Sequence, residues 1–147
     1  MKLALFTLFA IIHLVHGYNY YMLAMQDWCE STYQIHGLWP QYNATSWPEN
    51  CGGPAYEEIT NATLLSELNA EWANCNQPPS SLWSHEWSKH LTCIIKQYPS
   101  TYTQTSLFQL VLDLFKNTRV ADYCYNGVSD CYTCYDLAFQ RISCPDM

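Results

Sequence analysis

Two short stretches decide how this chain is read: Gln34-Ile35-His36-Gly37-Leu38-Trp39-Pro40 and His85-Glu86-Trp87-Ser88-Lys89-His90. The first is rich in aliphatic and aromatic residues and is closed by a proline, which predicts a β-strand over residues 34–39. The second lies in a run, residues 84–95, without glycine or proline, which predicts a helix. On an α-helix advancing about 100° per residue, His85, Glu86, Lys89 and His90 fall within about 140° of one another, so they share a face. Trp87 points away from that face, toward the interior.

Outward from these stretches, residues 18–25 read as a second buried strand and residues 41–54, with two prolines and two glycines, as a loop. Leu64, Leu65, Leu68 and Trp72 recur at helical spacing, with Asn61 placed to cap the helix. Pro78-Pro79 reads as a break. Residues 106–115 form an amphipathic helix whose apolar face belongs to the core, and residues 137–142 read as a short strand. Strands and helices are segregated along the chain, which predicts an α+β fold, a sheet packed with helices, in one domain over residues 18–147.

Composition supports a packed core and narrows the chemistry. The 147 residues are 49% hydrophobic and 16% aromatic but only 13% charged, which excludes disorder and coiled coil. Lys2 followed by an apolar run to Val15, with the small Gly17 just beyond, reads as a secretory signal peptide over residues 1–17. A membrane span needs about 20 apolar residues, and this run is shorter and interrupted by His13. Without the leader, 5 Lys+Arg face 13 Asp+Glu, a net charge of −8, and three histidines remain: His36, His85 and His90. Such a chain is no basic-patch nucleic-acid binder. If it handles phosphate, it does so locally.

Eight cysteines follow the leader, an even number that reads as a disulfide framework in the oxidising, secretory compartment that the leader implies. Eight cysteines allow 105 connectivities, so counting assigns none. Cys131-x-x-Cys134 would suit zinc only in a reducing compartment. Asn43 and Asn61 stand in Asn-x-Thr sequons and are candidate glycosylation sites.

The three histidines, gathered in two segments with Glu86 and Lys89, have the parts of an acid–base site: imidazoles that exchange protons and an ammonium that stabilises developing negative charge. A zinc hydrolase is the competing reading, because His-Glu-x-x-His binds metal. Those histidines stand at i and i+4, about 40° apart, whereas His85 and His90 stand at i and i+5, about 140° apart, and Lys89 would repel a cation. The reading therefore takes no metal and no cofactor.

Together, Ile35-His36-Gly37-Leu38-Trp39-Pro40 and His85-Glu86-Trp87-Ser88-Lys89-His90, followed by Thr92-Cys93, resemble the paired active-site signatures of the ribonuclease T2 family, secreted and lysosomal or vacuolar acid endoribonucleases. The resemblance runs from about residue 18 to residue 93 and includes Trp47-Pro48-Glu49-Asn50-Cys51. It implies His36 and His90 as the acid–base pair, with His90 as base and His36 as acid, assisted by Glu86 and Lys89. It also implies His85 on the phosphate, Trp39 and Trp47 stacked on bases, and RNA rather than DNA as the partner of a monomer. From the same resemblance come a Cys51–Cys93 bridge, a Cys29–Cys75 bridge, and pairing of Cys124, Cys131, Cys134 and Cys144 among themselves.

Three departures bear on that expectation. Leu91 stands where the family has glycine, and Gln41 where many members carry a base-contacting Asp. The chain is also short in its C-terminal half, so a reduced sheet or an open sheet edge is expected there. The alternative from another class is an inactive secreted member acting as a binding or signalling module. Retention of His36, His85, Glu86, Lys89 and His90 together argues against it.

Overall fold

The computed structural model describes residues 17–29, 32–75, 77–120, 124 and 129–145. The leader expected at residues 1–17 lies outside the described residues except for Gly17.

Four antiparallel strands form one sheet in the order β2-β1-β3-β4. Strand β1 (Tyr20–Cys29) is central, pairing with β2 (Thr32–Gln41) on one side and β3 (Asp130–Tyr135) on the other. Burial on both faces suits its composition: Tyr21, Leu23, Ala24, Met25 and Gln26 are all buried. Strand β2 runs through Pro40, against the expected stop, because it is an edge strand and proline's missing N–H removes no ladder bond on an open side.

At the other edge the expectation fails in part. Strand β4 is only Arg141–Ile142, not residues 137–142. The Asp136 carboxylate accepts the backbone N–H groups of Ala138 and Gln140, at 2.9 and 2.8 Å, and holds residues 136–140 in a turn with Phe139 at φ 57°. Strand β3 was not expected at all.

The helices pack against this sheet. Helix α1 (Ala62–Glu71) starts as expected at Asn61, whose Oδ1 accepts from the Leu64 N–H at 3.0 Å, a cap worth about 1 kcal/mol. Helix α2 (Pro79–Glu86) begins at the proline pair, since proline at the first helical position gives up an N–H that would have no helical partner there. A π-helical turn (Trp87–Leu91) and helix α3 (Thr92–Gln97) continue it. The expected single helix over residues 84–95 is thus interrupted by a wider turn. Helix α4 (Gln104–Lys116) is capped by Thr103 and Ser106 and buries Leu107, Phe108, Val111, Leu112, Leu114 and Phe115.

Phe108 is the hub of the aromatic core, with ring centroids 5.4 Å from Trp72 and 6.3 Å from Trp87. Each core indole finds an acceptor: Trp72 the carbonyl of His36, Trp83 that of Trp72, and Trp87 that of Pro54, each at 2.8 Å. Trp87 is buried, as its helical position required.

Bridges join Cys51 to Cys93, Cys124 to Cys131 and Cys134 to Cys144. The four C-terminal cysteines therefore pair among themselves, as expected. Cys75 is disulfide-bonded, while the side chain of Cys29 lies outside the described residues. Among the described residues no helix is long and apolar enough to cross a membrane.

Candidate active site

One cleft of about 330 Å³ collects His36, Trp39, Trp47, His85, Glu86, Lys89 and His90, so every catalytic and substrate-binding candidate from the sequence lines a single cavity. Met22, Gln41, Ala44 and Tyr132 complete its lining.

A β-bulge delivers His36. Ala24 pairs with Gly37 and Met25 with Ile35, leaving His36 as the extra residue on β2. Such bulges bend a strand and re-aim a side chain. The Trp72 indole holds the carbonyl of the bulged residue.

Gly37, the next residue, has no room for a side chain. A Cβ there would collide with the Glu86 carboxylate and come within 2.6 Å of the Trp39 Nε1. The His-Gly-Leu-Trp order thus places a bulge, a gap for Glu86 and an indole that donates to Glu86 Oε2 at 2.8 Å.

The π-helical turn delivers the other wall. Hydrogen bonds from i to i+5 widen the turn and bring residues five apart nearer one face than the roughly 140° of an α-helix. His85, at the end of α2, and His90, in the turn, line the same cleft. The Lys89 carbonyl accepts from the backbone N–H of Asn50 at 2.8 Å, which ties the loop after β2 to this turn. The Cys51–Cys93 bridge, closing 42 residues of sequence, secures the same junction and stabilises the fold by about 4 kcal/mol in the chain-entropy account.

Leu91 takes an ordinary right-handed helical conformation, φ −69° and ψ −29°, and is fully buried in the core. Its position demands no glycine dihedral, and its side chain adds to the packing beneath the turn.

Trp39 packs against both imidazoles, with centroids 5.0 Å from His36 and 5.3 Å from His90. Glu86 is 1% exposed and lies 3.7 Å from His36 Nε2 and 3.9 Å from His85 Nε2. Trp47 is 46% exposed at the mouth, whereas Trp39 is half-buried within.

Burial governs the protonation of the site. It pushes the Glu86 carboxyl up to about 7, with the Trp39 hydrogen bond and Lys89 opposing. It pushes His90 down to about 3, helped by Lys89, His85 and His36. His36 is also lowered by burial, against which the Asp130 carboxylate on β3 works. Desolvation thus moves both imidazoles below the ordinary histidine range. The Nδ1 atom of His90 and Oε1 of Gln41 are buried without a hydrogen-bond partner among the described residues.

The sequence missed Tyr132 and Asp130, because β3 was not recognised as a strand. The Tyr132 ring stands 6.2 Å from Trp39. Asn43 and Asn61 are both exposed: Asn43 Oδ1 accepts from the Thr45 N–H at 2.9 Å, and Asn61 caps α1. Among the described residues no three His, Cys, Asp or Glu side chains are grouped to hold a metal ion.

A four-stranded antiparallel sheet with helices, carrying bulged and π-helical histidines around one cleft, defines an α+β fold of a known kind. The Ribonuclease T2 family model matches residues 17–137, and the chain belongs to that family. It is 40% identical over 63 residues to Ribonuclease 3 of Arabidopsis thaliana, covering 40% of this chain and 28% of that one. It is 38% identical over 87 residues to Ribonuclease MC of Momordica charantia, covering 58% and 44%. The matches thus span less than half the length of each of these two relatives. Ribonuclease MC1 from bitter gourd seeds, solved as a mutant in complex with 5′-UMP, shares the fold at a TM-score of 0.70 and 22% identity, over 87% of this chain and 93% of that one.

Proposed function

We propose that this chain is an endoribonuclease that cleaves single-stranded RNA by transphosphorylation, without a metal ion. The observation that carries this reading is the pair of imidazoles packed on Trp39, at 5.0 and 5.3 Å between ring centroids, with Lys89 and Glu86 in the same cleft.

His90, depressed by burial, is the base: its neutral imidazole takes the proton of the 2′-OH. The 2′-oxygen attacks the adjacent phosphorus, and the bond to the 5′-oxygen breaks. His36, whose proton Asp130 helps retain, protonates that leaving oxygen. The products are a 2′,3′-cyclic phosphate and a free 5′-OH. The nucleophile belongs to the substrate, so proximity is supplied by RNA itself, and DNA, which lacks the 2′-OH, is not cleaved.

Lys89 and His85 face the phosphoryl oxygens. Glu86, raised to about 7, is a neutral acid under acidic conditions and donates a hydrogen bond to phosphate rather than repelling it. Trp47, exposed at the mouth, offers a stacking surface for a base. Trp39 does so less, being committed to Glu86 and the two imidazoles.

The family and the disulfide framework support a secreted or lysosomal/vacuolar protein, with a leader over residues 1–17, a single catalytic domain over residues 18–147 acting as a monomer, and glycans on Asn43 and Asn61. The test is incubation of oxidised protein with RNA across acid pH, with and without EDTA, followed by end-group analysis. Cyclic-phosphate ends, insensitivity to EDTA, and loss of cleavage in His36→Ala and His90→Ala are expected. Cleavage abolished by chelation, or none at any pH, would overturn the reading.

A further inference from the structure

The only Lys or Arg among the cleft's lining residues is Lys89, and that ammonium already has a partner. Its Nζ lies 3.6 Å from Oε2 of Glu49. The same oxygen accepts from the Trp47 indole N–H at 3.4 Å. Glu49 belongs to neither histidine motif. It sits on a strap, residues 47–51, whose far end is fixed to the catalytic turn by the Asn50–Lys89 backbone bond and the Cys51–Cys93 bridge.

We infer that Glu49 is the displaceable counter-charge of Lys89: it pins the ammonium and the Trp47 indole to the strap in the free protein, and a phosphodiester takes its place on Lys89 when a nucleic-acid strand enters. This deepens the ribonuclease reading and rests on it for the identity of the phosphodiester. Both partners are partly exposed, 36% for Lys89 and 44% for Glu49, so the pair can open without disturbing the core.

The chemistry has two consequences. A Lys89–Glu49 pair carries no net charge, so RNA gains little electrostatic affinity from the site's one ammonium. Glu49 is a positioning residue acting through Lys89 and Trp47, and it selects for strands whose stacking on Trp47 outweighs the lost ion pair.

The experiment compares wild type, Glu49→Gln and Glu49→Asp at constant pH. One arm measures kcat and KM on single-stranded RNA over a range of salt. The other measures binding of a non-cleavable 2′-deoxyoligonucleotide by tryptophan fluorescence. Glutamine keeps an acceptor for Trp47 but drops the charge. It should lower KM and tighten the oligonucleotide by about two- to fivefold, the scale of an exposed ion pair, with kcat within about twofold. The slope of log affinity against log salt should steepen by about 0.7, one neutralised phosphate on a single strand. Aspartate should return both toward wild type.

An unchanged or raised KM in Glu49→Gln, an unchanged salt slope, or a loss confined to kcat would overturn the inference. If wild type leaves RNA intact while Glu49→Gln still tightens the oligonucleotide, the ribonuclease reading falls and the role of Glu49 stands.

Discussion

The indole N–H of Trp39 donates to Oε2 of Glu86 at 2.8 Å, joining the edge strand β2 to the end of α2 through a carboxyl group with 1% exposure. One bond does two things. It gives a buried acid an acceptor role it can keep, and it fixes the ring against which both imidazoles rest.

Glu86→Gln separates the charge of this group from its shape. The folded carboxyl is raised from 4.5 to about 7, so its contribution to stability is fully present below pH 4.5 and is lost as pH rises to about 7. The variant keeps the Trp39 bond and has no proton to lose. Urea unfolding should show equal stabilities near pH 4 and a variant about 3 kcal/mol more stable above pH 8. Parallel stability profiles would refute the assignment.

The pH dependence of kcat/KM on RNA should be a bell on the acid side. This quantity reports the free enzyme. The base His90 is neutral only above about 3, which sets the rising limb. The acid His36 must hold its proton and is lowered from 6.5, so the falling limb lies below that value. A maximum above pH 7 would contradict both roles.

Gly37→Ala should cripple the site from a position that touches no substrate. Its Cβ collides with the Glu86 carboxylate, and Glu86 is buried and bonded, so it has nowhere to swing. A displacement of about 1 Å at a catalytic group can cost about 100-fold. A kcat loss of that order is expected, with about 1–3 kcal/mol of destabilisation from overpacking, read by thermal unfolding. A variant with wild-type kcat would show that Glu86 is not held as described.

What the sequence disclosed was what local rules govern. The Asn61 cap, the apolar face of α4 and the inward Trp87 follow from helix periodicity and capping, and the site segments followed from their titratable residues. The far wall was hidden. Asp130-Cys131-Tyr132-Thr133-Cys134-Tyr135 pairs with the central strand and is largely buried on both faces, so no polar–apolar alternation marks it, and its cysteines draw attention to bridges instead. The π-helical turn was equally hidden. A residue string carries no local sign that hydrogen bonds will run from i to i+5, and the shared face that ordinary helical spacing predicts for His85 and His90 gives no hint of the wider turn between Trp87 and Leu91.

The junction of Asn50 with Lys89 and of Cys51 with Cys93 ties the strap that follows Trp47 to the turn that carries Lys89 and His90, so that the two move as a single jaw. A cleft so clamped would have its gape set during oxidative folding, before any strand arrives. Mild reduction should then blunt recognition of the nucleobase before it unfolds the domain, because the sulfur clasp governs the bite while the sheet holds the frame.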